Sequence, residues 1–388
     1  MQSSKKRIVL PLESCVGCSA CMAICPKQCI SMQPDNKGFL RPVIDSGICI
    51  SCKSCLRICQ AEGKHTKTLP STVLAARIID NGVLSNSSSG GIAWILSKHI
   101  LQQGGAVYGA AFDENMTVKH IRVENESELY RLQGSKYVQS DITNIYALIK
   151  QDLSNGIQVL FIGTPCQVAA IKKVFLNTGK QLLTCDLICH GVPSPRLFAD
   201  HIRAIETSFS KKVADYRFRD KVFGWNYNIN RIIFKDGGSS IHSYWTQCYK
   251  RLFFSNYGLR DSCYICKYSS LSRQGDITLG DYWGINQVSD IFKDNKGVSV
   301  VFANTSEAKK LMDIIKGHCT YIETSLSKAL QMQLIMPVQR PKRIDAFWNT
   351  YYKTSYKETC YKFAGKRIFL TIRNLIKDLI VKYKLIHI

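Results

Sequence analysis

The sequence predicts an α+β protein in three parts: a small cysteine-bound domain at the N-terminus, a larger α/β domain behind it, and an amphipathic helix at the C-terminus. Three observations predict it. Eight cysteines between Cys15 and Cys59 repeat one spacing twice; short apolar runs of strand length then alternate with helical periods; and the chain ends on an apolar stripe at helical spacing. At 388 residues, 45% hydrophobic and 21% charged, the chain can bury a large core and divide into two or three globular domains. Its first residues, MQSSKKRIVLPLESC, hold only a short apolar run before Glu13 and read as no signal peptide. No uninterrupted apolar stretch reaches the ~18 residues of a bilayer-spanning helix, so a cytoplasmic location is expected.

The two cysteine runs are CVGCSACMAICP, with Cys15, Cys18, Cys21 and Cys25, and CISCKSCLRICQ, with Cys49, Cys52, Cys55 and Cys59. Each is C-x2-C-x2-C-x3-C. Three closely spaced thiolates suit three irons of one cubane, and the fourth cysteine of such a run serves the other cluster. The expected ligands are therefore Cys15, Cys18, Cys21 and Cys59 for one [4Fe-4S] cluster, and Cys49, Cys52, Cys55 and Cys25 for a second. Zinc prefers two separated cysteine pairs and disulfides need an oxidising compartment, so both fit the repeat poorly. Residues 8–66 resemble a bacterial-type two-[4Fe-4S] ferredoxin domain. Gln60 departs from that pattern, standing where Pro26 stands in the first run; it weakens the local turn and removes no ligand.

His65 to Pro70 reads as a short linker, and Val73 to Ile79 as a buried strand. The polar SNSSSGG of Ser85 to Gly91 then leads into a helix on Ile92, Ile95, Leu96 and Ile100. Small residues before a helix allow a ligand to approach, and free N–H groups with the helix dipole favour phosphate there; a serine N-cap after a mobile loop is the plainer reading. Strands are expected at Ala106 to Phe112 and Val118 to Val123. Gly134, Ser135 and Lys136 offer a turn, a hydroxyl and a cation, either an anion contact or a surface turn. A helix near Ile142 to Leu153 precedes the strand Ile157 to Gly163.

There the period changes from strand to helix around Cys166, whose place at a helix start favours a thiolate. A following strand, within QLLTCDLICHGVPSPRLF, ends at Cys189, His190 and Gly191. Cysteines at the carboxyl ends of adjacent strands would face one crevice, the usual ligand position in an open α/β sheet. Arg217 to Phe234 alternates as strands do, with a turn at Asp236 to Gly238. The pair in CYIC then makes Cys166, Cys189, Cys263 and Cys266 available for a further metal site, with Cys185 as a competing fourth ligand. Cys29, Cys248, Cys319 and Cys360 lack ligand spacing and read as structural thiols. His190 reads as shaping its loop rather than donating a proton. In the final segment Ile368, Ile372, Leu375, Ile376, Leu379, Ile380 and Tyr383 share a face opposite Arg373, Lys377 and Lys384. Such a helix packs on protein or lies on an anionic membrane.

The ordered series SSSGG, GSKYVQSD, GTPCQVAAIK, CHGVPSP, CYICKY and DITLGDYWG resembles the coenzyme F420 hydrogenase/dehydrogenase beta-subunit family over residues 70–320. The resemblance implies an α/β flavin- and iron–sulfur-binding domain. It implies FAD held by Ser87, Ser88, Ser89, Gly90 and Gly91 and by Gly134, Ser135, Lys136 and Tyr137. It also implies a third [4Fe-4S] cluster beside the flavin, on Cys166, Cys189, Cys263 and Cys266, with Asp281 and Trp283 close by. The expected domains are 1–68, ferredoxin-type; 69–150 and 151–325, like the N- and C-terminal parts of the family; and 326–388, a basic helical tail.

The formal net charge is +23. Three clusters and a flavin dinucleotide would lower it to roughly +15, a balance that still favours acidic partners. The expected partners are an acidic electron carrier such as ferredoxin, or a soluble hydride carrier, with membrane contact through the last helix; no nucleic-acid module appears. Two readings follow: an oxidoreductase passing electrons between clusters and FAD for a soluble carrier or small substrate, or an electron-transfer subunit for a separate catalytic partner, including one in cell-envelope polysaccharide synthesis.

Overall fold

The computed structural model describes residues 10–61, 69–241 and 243–365. The amphipathic stripe of 368–383 and most of the 65–70 linker lie outside the described residues.

The N-terminal domain is built twice over from one unit. Helix α1 (Ala20–Ala23) precedes strands β1 (Ile30–Pro34) and β2 (Leu40–Ile44), an antiparallel hairpin, and α2 (Ser54–Ile58) repeats α1 in the second cysteine run. Gly17 and Ser51 occupy matching places in the two runs, as do Ser19 and Lys53, and all four are left-handed, with φ of 69°, 57°, 58° and 60°. Only the first of these is a glycine. Left-handed residues turn successive N–H groups inward, the form that a backbone takes around an anionic centre; Gly17 N–H lies 3.4 Å from Cys15 Sγ.

The larger domain follows as β3 (Thr72–Ile78), α3 (Asn81–Asn86), α4 (Ile92–Gln102), β4 (Ala106–Phe112), β5 (Val118–Val123), α5 (Ile145–Ser154), β6 (Val159–Gly163), α6 (Pro165–Val174), β7 (Leu182–Leu187), α7 (Pro195–Phe209), β8 (Val213–Asp220), β9 (Ile229–Phe234), β10 (Ser239–Ser240), α8 (Tyr244–Phe254), β11 (Ile277–Asp281), β12 (Ser299–Ala303), α9 (Ser306–Gly317) and β13 (Cys319–Glu323). Helices α10 (Ile344–Lys353) and α11 (Tyr356–Phe363) close the described chain. The expected strand through Cys189 stops at Leu187, and the segment after it turns into α7, started by Pro195 behind the Ser194 cap. Helix α3 takes Ser85 and Asn86 out of the expected loop, started by the Asp80 side chain accepting from Val83 N–H.

Eight strands form one mixed sheet in the order β13-β3-β12-β11-β7-β6-β4-β5. The four inner strands β11, β7, β6 and β4 are parallel, and antiparallel strands flank them on both sides. Residues 69–150 and 151–325 therefore share a sheet, since β3 pairs with both β12 and β13. Alternation sends successive side chains to opposite faces. Val107, Leu160, Leu183, Ile277 and Val301 pack under α4 and α9; Tyr108, Val159 and Phe161 pack under α5 and α6. Cys185 faces the first of these cores with no exposed surface, and cannot serve the opposite crevice. The competing fourth ligand is thereby removed.

A second, three-stranded sheet of β10, β9 and β8 packs with α7, α8, α10 and α11 into an aromatic core holding Phe198, Tyr216, Phe218, Trp245, Tyr249, Phe347 and Trp348. Cys248 and Cys360 are buried there, and Cys319 is buried under α9, as structural thiols would be. Among the described residues, no helix is long and apolar enough to cross a membrane.

Candidate functional site

The cysteine runs fold around two cavities, and their fourth members cross over. One cavity is lined by Cys15, Cys18, Cys21 and Cys59; the other by Cys25, Cys49, Cys52 and Cys55. The reason is local: α1 and α2 each turn the chain once after the third cysteine, which carries Cys25 and Cys59 towards the neighbouring run. Among the described residues no three His, Cys, Asp or Glu side chains close on a single ion. Four thiols spread around a cavity suit the four corners of a cubane. Burial pushes the Cys21 thiol up to about 12 and the Cys18 thiol higher, whereas Ser54 beside the exposed Cys52 holds that thiol below its ordinary value. Iron must displace the protons of this half-buried pair, so the chemistry of the donor set fits metal rather than free thiolate.

One buried cation joins the first cavity to the larger domain. Arg260 has no exposed surface; its guanidinium donates to Cys15 O at 2.7 Å, Gln139 Oε1 at 2.7 Å and Leu40 O at 2.9 Å, and approaches Cys15 Sγ at 3.5 Å. It lies over the Phe39 ring. Gly17 is required here, because a Cβ would stand 2.6 Å from the guanidinium. Gln60, read from sequence as a weakened turn, is buried and accepts from Tyr268 O–H at 3.2 Å, a bond a proline could not accept through a side chain. Tyr146 O–H donates to Cys18 O at 2.6 Å.

The other four cysteines gather on the far side of that seam. Cys166 stands at the second position of α6, behind the Thr164 cap, Pro165 and the reciprocal Gln167 bond; Cys189 follows β7, the parallel neighbour of β6. Cys263 and Cys266 come from the turn after Arg260, and Val192 N–H reaches Cys263 Sγ at 3.5 Å. Each of Cys166, Cys189 and Cys263 feels the charge of other members of the set: Cys166 that of Cys266, Cys189 those of Cys263, Cys166 and Cys266, and Cys263 those of Cys166 and Cys266. Burial pushes Cys166 up to about 11 and Cys263 up to about 12, then like charge adds to it. The helix start expected to favour a Cys166 thiolate is outweighed by that burial. Buried Tyr268 lies between the two groups, close enough to Cys166, Cys18, Cys266 and Cys59 for all four to disfavour its phenolate, behind burial itself. His190 hydrogen-bonds Asn256 at 2.8 Å and Gln333 at 3.4 Å, holding the loop behind Cys189.

The two segments expected at the flavin meet each other: Ser135 N–H donates to Ser88 Oγ at 2.7 Å. The glycines of SSSGG serve the protein's own packing. A Cβ on Gly90 would strike Ala76 O and lie 2.7 Å from Ser299 N, and Gly91, left-handed at φ 79°, caps α4 in place of a serine. Ser89 donates to Val298 O at 2.8 Å and Ser87 to Val83 O at 2.7 Å, so neither hydroxyl is idle. Gly134, also at φ 79°, faces open space. Two lysines flank the segments. Lys136 donates to the Gln133 and Arg131 carbonyls, and Lys221 to the Leu84 and Ser89 carbonyls; burial pushes each down to about 7, with Arg219 adding to the effect on Lys221. Asp281, at the end of β11, pairs with buried Arg219 at 2.6 Å and accepts from Trp225 Nε1 at 2.8 Å. Trp225 stacks on half-exposed Trp283 with centroids 4.8 Å apart, and Arg219 also touches Tyr137.

Residues 157–327 match the family described as the C terminus of the coenzyme F420 hydrogenase/dehydrogenase beta subunit, and residues 14–62 match a 4Fe-4S dicluster domain. Residues 157–327 are thus similar to the C-terminal part of that beta-subunit family, over less than half of the chain. The family segment begins at β6 and contains all four cysteines of the second group, while the dicluster domain contains both cavities. With its dicluster domain the chain is an iron–sulfur electron-transfer protein, related to the hydrogenase/dehydrogenase beta subunit through residues 157–327. Among solved structures it is similar to a chain of the F420-reducing [NiFe] hydrogenase complex from Methanosarcina barkeri, studied with xenon, at 18% identity and a TM-score of 0.47, over 78% of this chain and 97% of that one. No curated protein matches.

Sequence reasoning missed Arg260, Arg219 and Gln139. Arg260 lies three residues before Cys263, and an arginine that close to a cysteine pair was the one available signal. Gln139 lies inside the GSKYVQSD motif, which marked the segment but gave this side chain no role, and Arg219 sits in ordinary strand text with no signal.

Proposed function

We propose that this protein is an iron–sulfur flavoprotein oxidoreductase that passes electrons between its ferredoxin-type clusters and FAD, by way of a third [4Fe-4S] cluster. The observation that carries the proposal is the gathering of Cys166, Cys189, Cys263 and Cys266 across Tyr268 from the first cavity. The eight cysteines of the dicluster domain take the ligand roles expected from their spacing. The four others would bind the third cluster: Cys166, Cys189 and Cys263 each resist ionising beside the other members of the set, so a neutralising metal is favourable there.

FAD would be held by Ser87 to Gly91 and Gly134 to Tyr137, and it would supply the exchange between one-electron and two-electron chemistry. The support is electrostatic. Lys136 and Lys221, held near neutrality by burial, would regain full charge beside a pyrophosphate. Arg219 and Asp281 fix the neighbouring Tyr137 and Trp283 side chains. Electrons would cross the seam between Cys18 and Cys166, which Tyr268 and Arg260 keep dry and rigid. In the cytoplasm the basic surface would meet an acidic ferredoxin-like carrier, or the site a soluble hydride carrier.

Anaerobic titration of the reconstituted protein tests this reading. Bound flavin is expected to bleach on adding reduced ferredoxin or a reduced deazaflavin, and the faster reagent identifies the physiological side. A fully reconstituted protein that binds no flavin would make it an electron-transfer subunit for another catalytic chain.

A further inference from the structure

The second cavity holds five thiols for four corners. Beside Cys25, Cys49, Cys52 and Cys55 its wall includes Cys29, which the sequence presents as a structural thiol without ligand spacing. Cys29 is buried, with its Sγ 3.4 Å from Cys25 Sγ, and Cys49 shares the same wall, near enough to act on the Cys29 thiol. Among the described residues the first cavity has no fifth thiol in its wall, and the matching position of the second run is Gly63 in the sequence.

We infer that Cys29 is a hydrogen-bond donor to the second cluster, its S–H directed at the Cys25 and Cys49 thiolates, and that it sets this cluster's potential apart from that of the first. The inference rests on the assignment of Cys25, Cys49, Cys52 and Cys55 as ligands. With all four irons bound elsewhere, the fifth sulfur keeps its proton and faces the Cys25 and Cys49 sulfurs. Reduction adds one electron whose charge spreads onto the thiolates, and a donor to a thiolate stabilises the reduced form more than the oxidised one. The second cluster is also the outer one: Cys52 is exposed, whereas the first cavity is covered by Arg260, Tyr146 and Tyr268. A raised potential at the outer cluster would make it the resting place of an arriving electron.

The test compares the full-length, anaerobically reconstituted protein with its Cys29→Ala and Cys29→Ser variants. Iron content and Mössbauer spectra come first; fewer than two clusters in the unaltered dicluster domain would sink the ligand assignment itself, before the inference is reached. With both clusters intact, dithionite titration followed by electron paramagnetic resonance is expected to show the second cluster of Cys29→Ala harder to reduce. At fixed poise the reduced-to-oxidised ratio should fall about tenfold, ~59 mV for one electron, while the first cluster keeps its potential. An exchangeable proton coupled to the reduced second cluster should vanish in the alanine variant and persist in the serine variant, whose hydroxyl also donates. Unchanged potentials in both variants, or loss of the second cluster in both, would overturn the inference; the latter would make Cys29 a ligand.

Discussion

Arg260 shows how one side chain can serve assembly and electrostatics together. A fully buried guanidinium is tolerated only when its donors are matched, and this one is satisfied by two carbonyls, an amide oxygen and the Cys15 sulfur. Burial lowers its pKa, yet the thiolates around it act in the opposite direction, so it stays a cation beside the first cluster. Arg260→Met keeps the volume and leaves Cys15 O, Leu40 O and Gln139 Oε1 without their donor. We expect a loss of about 3 kcal/mol in thermal or denaturant unfolding of the reconstituted protein, together with a lower potential for the first cluster. A variant with unchanged stability and potential would contradict this role. The residue scale is also where the sequence is least legible. Cys15 to Cys59 announce themselves because ligand spacing is local; the Arg260 contact joins positions 245 residues apart, and Cys29 turns from structural thiol to cavity wall only once β1 and the second run meet.

At the scale of elements, the strands and helices were legible wherever period and end signals agreed. The Val73–Ile79, Ala106–Phe112 and Val118–Val123 expectations match β3, β4 and β5 within a residue, and Pro165 and Thr164 mark the start of α6. In the SSSGG loop the need for Gly90 comes from neighbours that no local pattern reveals: Ala76 O and Ser299 from β3 and β12. The two glycine segments therefore differ in what they tolerate. Gly90→Ala drives a methyl into backbone on two strands and should cost about 3 kcal/mol or abolish folding. Gly134→Ala meets open space and should cost only about 1 kcal/mol, the penalty of a left-handed alanine. Parallel chemical-denaturation curves would check the contrast. If Gly134→Ala keeps stability but loses flavin, the open face of that turn is the ligand side.

At the scale of the whole molecule, the parallel strands β6 and β7 lead to Cys166 and Cys189, and the dicluster domain is tied to the larger domain by Arg260, Gln60 and Tyr146. The α+β class and the N-terminal place of the dicluster domain were legible because each carries its own pattern. The antiparallel flanks β12, β3 and β13 were not, since pairing between strands more than two hundred residues apart leaves no mark in either strand. The central claim is that the twelve cysteines hold three clusters, the third on Cys166, Cys189, Cys263 and Cys266. Mössbauer and electron paramagnetic resonance spectra of the reconstituted protein and its Cys263→Ser variant test this most directly. Three [4Fe-4S] clusters are expected before substitution, and a disturbed or missing third with the two N-terminal signals intact after it. Unchanged iron content and unchanged spectra in the variant would contradict it.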